Sequence, residues 1–198
     1  LVERVLTLPR ILLTYAALLS FPHRLHMEYH FVERSLANPY LWGLLLLLPV
    51  VGYAFFRLGK PSAGTTGHEG VRYAGFLLTW FLAGLAPFYN IAITLHATFA
   101  EHWAYFAGMG FLAFLSMAGV GFFRRLKGRW GKGVLVLGAV LLFTYEGLYT
   151  ALRNLDWSDP MRLYQHDLRY EPSSFILHNN VGVIHFRAGD LDKAKEAF

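Results

Sequence analysis

Apolar residues are gathered along the chain into blocks rather than spread at helical or strand spacing. Residues 40–56, 73–95 and 103–123 contain no Asp, Glu, Lys or Arg, and runs of about 18 or more such residues have the length of a membrane span. Five segments follow from the pattern. Segment A covers about residues 5–21. Pro9 and Arg10 interrupt it and leave only the stretch 11–21 clean, so it is expected either to lie in the interface or to span. Segment B is 40–56, with a kink expected at Pro49. Segment C is 73–93, with Pro87 near its end. Segment D is 103–123, where Gly108, Gly110, Gly119 and Gly121 are expected to let helices approach closely. Segment E is 134–152 and carries one acid, Glu146. The expected fold class is all-α: a polytopic α-helical membrane bundle of four spans plus one interfacial or spanning helix, followed by the start of a tetratricopeptide (TPR) helical array.

Composition agrees. Of 198 residues, 55% are hydrophobic and 16% charged, and there is no cysteine. A soluble domain usually carries about a quarter charged residues. A soluble globular enzyme, a disordered chain and a disulfide scaffold are therefore excluded. The net charge of +5 is not a nucleic-acid signal, because its excess flanks membrane segments. Residues 1–152 hold twelve Lys/Arg against six Asp/Glu, whereas residues 153–198 hold six against seven. The B–C loop carries Arg57, Lys60 and Arg72, the D–E loop carries five cations between Arg124 and Lys132, and residues 94–102 carry none. The positive-inside rule puts the two basic loops in the cytoplasm. The A–B region, the C–D loop and the tail then lie outside: periplasmic for a bacterial inner-membrane protein, lumenal for one of the endoplasmic reticulum. Residues 61–70, rich in Gly, Ser and Thr, read as a flexible loop. Gly64–Gly67 within it is not a P-loop, since no Gly-Lys-Ser/Thr follows.

Residues 153–198 are a different kind of sequence, expected as a separate region after a membrane domain at 1–152. With Gly182 set on the small residue of a TPR's first helix, Val181 precedes it and Gly189 falls at the turn. Ala194 becomes the small residue of the second helix, Phe198 its aromatic, and Pro172 closes the preceding unit. One repeat cannot bury its own apolar faces, so further repeats are expected. The chain starts without Met and stops inside an expected helix, which reads as a fragment of a longer protein.

Candidate chemistry gathers in the outward loops. His23, His26 and His30, spaced i, i+3, i+7 near Glu28 and Glu33, would share one face if helical, and the C–D loop adds His96, Glu101 and His102. Three readings stay open: a divalent-metal site, histidines facing water or headgroups, and a polyprenyl or dolichyl phosphate headgroup site helped by Arg24 and Arg34. No closed zinc spacing is present, so a metal is not expected. Glu146 is a functional candidate or a snorkelling acid, and Asn90 is expected as inter-helix glue.

Residues 3–39 (ERVLTLPRILLTYAALLSFPHRLHMEYHFVERSLANP), 80–111 (WFLAGLAPFYNIAITLHATFAEHWAYFAGMGF) and 153–164 (RNLDWSDPMRLY) together resemble bacterial membrane proteins with C-terminal TPRs. Those are relatives of the eukaryotic transmembrane and TPR-repeat-containing protein O-mannosyltransferases. The resemblance implies a GT-C-type glycosyltransferase that takes sugar from a polyprenyl- or dolichyl-phosphate donor on the extracytoplasmic face. Its TPRs would bind a protein or peptide. It implies that the catalytic acid lies upstream of this stretch, and that Glu101, His102, Tyr105 and Gly110 sit near the lipid-phosphate pocket. Ala107-Gly108 stands where the family has Pro-Ser, and Glu28-Tyr29-His30 replaces its acidic run. A membrane-anchored TPR scaffold without catalysis is the alternative.

Overall fold

A computed structural model describes residues 1–27, 29–58, 67–91, 95 and 97–198. Glu28, His96, Lys60 and most of the expected 61–70 loop lie outside the described residues. Among the described residues eight α-helices follow one another: α1 (Val2–Ser20), α2 (Pro39–Leu58), α3 (Gly67–Leu85), α4 (Ala104–Arg125), α5 (Arg129–Trp157), α6 (Pro160–Asp167), α7 (Phe175–Arg187) and α8 (Leu191–Ala197). Short 3-10 turns at Ala86–Phe88 and Glu101–Trp103 flank the α3–α4 connection. The only strand-like pairing among the described residues is an isolated bridge between Tyr29 and Phe99.

Among the described residues three helical stretches are long and apolar enough to cross a membrane: Glu69–Phe88, Glu101–Arg125 and Arg129–Trp157. This corrects the expectation of four spans. Segment B is helical through Pro49, but its described apolar stretch is Pro39–Tyr53, about 22 Å at helical rise against roughly 30 Å of hydrocarbon. Segment C is also shifted toward the N-terminus. Its helix starts at Gly67, ends at Leu85 and passes into a 3-10 turn containing Pro87, because proline cannot donate to the ladder and disfavours helix just before it. Segment E runs past its expected end to Trp157. The helix therefore crosses the expected 152/153 boundary without a break.

The bundle core forms where α1, α3 and α4 meet the α3–α4 connection. Ile11, Tyr15, Phe81, Leu85, Phe99, Trp103 and Ala107 are buried together. Tyr15 stacks on Phe99 at 4.0 Å, and its hydroxyl donates to the Ala100 carbonyl at 2.9 Å. The charge that interrupts segment A is neutralised by the following loop: Arg10 Nη1 meets Glu33 Oε1 at 2.8 Å and the guanidinium lies over the Phe31 ring. Asn90, at φ 57, organises the α3–α4 connection rather than gluing helices. Its Oδ1 accepts from the Leu95 N–H at 2.7 Å and its amide nitrogen reaches the Ala97 and Thr98 carbonyls.

The glycine expectation divides in two. A Cβ at Gly110 would lie 2.7 Å from the Leu77 carbonyl oxygen on α3, and one at Gly108 would lie 3.0 Å from Leu19 on α1. Gly119 and Gly121 face open space. Gly110→Val should therefore separate α3 from α4 and destabilise by about 1–3 kcal/mol, whereas Gly119→Val should be close to neutral. Thermal unfolding of both variants in detergent checks the contrast.

Candidate functional site

Three chain segments that are distant in sequence meet at one end of the bundle. Phe21 stacks on Tyr145 of α5 at 4.5 Å. The Tyr145 hydroxyl donates to the Pro22 carbonyl, and the Leu25 N–H donates to the Tyr149 hydroxyl. The α3–α4 connection supplies Glu101, whose Oε1 accepts both the His26 backbone N–H and the Tyr29 hydroxyl, each at 2.8 Å. Helix α6 supplies Asp167, which has no exposed surface. One of its carboxylate oxygens accepts Arg153 Nη2–H and the other accepts the Met27 backbone N–H, each at 2.9 Å. Glu171 accepts the His30 N–H at 3.1 Å. Asp159 caps α6 through the Met161 N–H, with Pro160 at its first position, so the helix begins where its aspartate must reach back to α5.

Arg153 is the centre of this cluster. Its Nη1 lies 2.9 Å from His166 Nδ1 and 3.4 Å from Asp156 Oδ2. Its Nε is the one fully buried side-chain nitrogen or oxygen among the described residues without a hydrogen-bond partner. Leaving such a donor unmade costs about 1–3 kcal/mol. His26 is sandwiched between Tyr29 at 3.6 Å and Tyr170 at 5.2 Å. Burial holds its imidazole below the ordinary value. The Arg24 carbonyl, Glu171 and Asp167 pull in the opposite direction, and Arg153 adds to the lowering. The Tyr29 hydroxyl is held far above its ordinary value by burial and then by the Glu101 carboxylate.

Beside the cluster lies a groove of about 640 Å³ between α1, α4 and α5. Leu18, Leu19, Met109 and Leu112 form its apolar length, and Glu101, Thr150, Arg153 and Asn154 form its polar end, with Tyr105 and Trp157 on its rim. Tyr105, Met109 and Leu112 are exposed on α4, so the groove opens sideways toward the hydrocarbon that a spanning α4 meets.

The candidate residues separate accordingly. Glu101 and Tyr105 line the groove. His102 is exposed and rests edge-on against Trp103. Arg24 enters the cluster only through its carbonyl, and Arg34 pairs with Glu3 at 3.3 Å near the start of α1. The residues around His23, His26 and His30 are not helical, so these histidines do not share a helix face. The backbone N–H groups of His26, Met27 and His30 are committed to Glu101, Asp167 and Glu171 instead. Among the described residues no group of three or more His, Asp or Glu is arranged to hold a metal, and His96 lies outside them.

Arg153, Asn154 and Asp167 went unrecognised as site residues. The RNLDW run was the available signal for the first two. In the tail, α7 and α8 form a helical hairpin in which Gly182 lies against the Phe198 ring, Ala194 is buried and Gly189 turns the chain at φ 80. Val181 is half-buried on α7, and Pro172 precedes that helix in the turn.

Among the described residues the chain is helical, with three helices long and apolar enough to cross a membrane and a polar cluster at one end. Among proteins of assigned role, it is similar to the human protein O-mannosyl-transferase TMTC2, with 22% identity over 121 residues, or 61% of this chain. The chain spans 14% of that protein's length. No protein-family profile matches the chain, and no solved structure matches it.

Two outcomes follow from the cluster. Asp167→Ala takes from Arg153 its nearest carboxylate and strands the Met27 N–H, and should destabilise by about 3–5 kcal/mol. Hydrogen exchange over residues 21–30 should rise with it. Because the folded state binds His26's proton more weakly than the unfolded state, stability rises with pH up to roughly 6.5 and is lost below it. Exchange protection of the same loop at pH 7.5 and pH 5.5 checks this, and His26→Gln should flatten the difference.

Proposed function

We propose that the chain works in a membrane glycosyltransferase that moves a sugar from a polyprenyl- or dolichyl-phosphate donor to a hydroxyl on a protein or peptide. The observation that carries this reading is the convergence of three stretches, 3–39, 80–111 and 153–164, each of which resembles the O-mannosyltransferase relatives. They touch through Glu101 with His26 and Tyr29, and Arg153 sits beside them, tied through Asp167 to Met27. Similarity to a protein O-mannosyl-transferase supports the same reaction class. In that reaction the acceptor oxygen bonds to the anomeric carbon, and the bond from that carbon to the lipid phosphate breaks. The hydroxyl proton passes to a general base. None of the described residues is assigned that role. Arg24, Arg34, Glu101, His102 and Tyr105 are proposed on the substrate side, with Glu101 anchoring the loop.

The cluster end of the bundle is assigned to the outer side, because the described cations Arg72, Arg124, Arg125, Lys127, Arg129 and Lys132 fall at the other end. A phosphatase reporter fused after Ser158 should be active. Activity of a cytoplasmic reporter at the same position would overturn the orientation. For the reaction, vesicles carrying the full-length protein should transfer radiolabelled sugar from a polyprenyl-phosphate donor to hydroxyl-bearing peptides. Glu101→Ala should lower the rate at least about tenfold, comparable to a lost charge-assisted hydrogen bond. Absence of transfer overturns the reading.

A non-enzymatic, membrane-anchored TPR scaffold is favoured by one observation. Phe175, Phe186 and Leu191 on the α7–α8 hairpin are 78%, 61% and 62% exposed, as helices that stack further repeats or a partner would be. On that reading, removal of residues 159–198 abolishes function in cells while Glu101→Ala and His102→Ala are silent.

A further inference from the structure

We propose that the α4–α5 connection is a binding site for anionic phospholipid. The phosphate sits among the cations of the connection, and the acyl chains lie on the uncovered faces of α4 and α5. The inference is independent of the transferase reading and rests only on α4 and α5 spanning a bilayer.

Residues 124–132 hold Arg124, Arg125, Lys127, Arg129 and Lys132, and no Asp or Glu occurs from residue 102 to residue 145. The fold keeps these charges together. The Leu126 N–H donates to the Phe122 and Phe123 carbonyls, and the Lys132 N–H donates to the Gly128 carbonyl at 3.3 Å. A Cβ at Gly131 would lie 3.6 Å from the Leu126 side chain, and Lys132 Nζ stands 5.2 Å from the Phe123 ring centre. The last turn of α4 and the first turn of α5 are thus side by side. Arg124, Arg125, Lys127 and Arg129 are exposed. Among the described residues none of Arg124, Lys127, Arg129 and Lys132 is in an ion pair. Like charges this close repel, and at the end of a span the counter-charge at hand is the phosphate of the adjoining leaflet. Guanidinium groups match its oxygens.

What adjoins the cations makes the ligand a phospholipid rather than a free phosphate. Val120 and Phe122 on α4 and Val134 and Leu137 on α5 are exposed. A Cβ at Gly119, Gly121, Gly133 or Gly138 would meet nothing within 4 Å, and α5 buries none of its most apolar stretch against the described residues. Trp130, 90% exposed, stands between that stretch and the cations, and its indole suits the headgroup level. Apolar, aromatic and cationic side chains therefore follow one another along α5 in the order of acyl chain, glycerol region and phosphate.

The test titrates the full-length protein in detergent with phosphatidylglycerol, phosphatidylcholine, glycerol 3-phosphate and a short RNA duplex, and reads adducts by native mass spectrometry. Phosphatidylglycerol should bind at least about tenfold more tightly than phosphatidylcholine, and glycerol 3-phosphate should not displace it. Lys127→Gln combined with Arg129→Gln should weaken phosphatidylglycerol binding about 25-fold, roughly fivefold per cation, and leave phosphatidylcholine binding unchanged. The charge-keeping pair Lys127→Arg and Arg129→Lys should bind as the parent does. Arg187→Gln with Lys195→Gln removes the same charge from exposed positions in the tail and should change neither lipid's binding. Equal binding of the two lipids overturns the proposal, as does an equal loss in the tail pair. Displacement by glycerol 3-phosphate makes the connection a free-phosphate site, and RNA binding that is lost with Lys127 and Arg129 makes it a soluble-polyanion site. Either result overturns the lipid assignment.

Discussion

A buried guanidinium held by two buried or half-buried carboxylates is the constraint on which the junction depends. Arg153 lies one turn before the end of the long helix α5, and Asp167 on α6 reaches it with one oxygen while its other oxygen takes the backbone of Met27. A charge pair of this kind is weak evidence for net stability, because desolvation offsets the attraction. Its consequence is positional. With Asp167 removed, Arg153 keeps only Asp156 and His166 on its Nη1, and the Met27 N–H loses its acceptor. The tail, the end of α5 and the loop after α1 therefore have one low-energy arrangement relative to one another. Everything placed by that loop, including the Tyr29 and His26 contacts to Glu101, inherits the constraint.

Helix existence was legible in the sequence because each apolar block is long and uncharged. Helix ends were legible only where a local rule acted. Pro87 stopped α3 early, yet Arg153 did not stop α5, since its charge is answered by α6 rather than by water. The histidine run misled for a related reason. Spacing of i, i+3, i+7 carries information only if the segment is helical, and here the backbone donors of His26, Met27 and His30 are taken by acids from elements remote in sequence. Gly110 and Gly119 look alike in sequence and differ only in what crosses them. Glu101 and Tyr105, named from their motif, both line the groove between α1, α4 and α5. Asp167 was invisible, because nothing in the sequence around it announces that a carboxylate in an eight-residue helix will be wholly buried.

The length of α5 explains why the polar end of the groove lies where it does. Twenty-nine residues rise about 44 Å, some 14 Å more than a bilayer's hydrocarbon. With the apolar stretch 134–152 in the membrane, the last turn and a half projects into the interface, and it carries Arg153, Asn154 and Trp157. A shorter helix would have put Arg153 in a flexible tail, free to hydrate. A longer apolar one would have drawn it into hydrocarbon. At this length the arginine stands at the level where α1 ends and α4 begins.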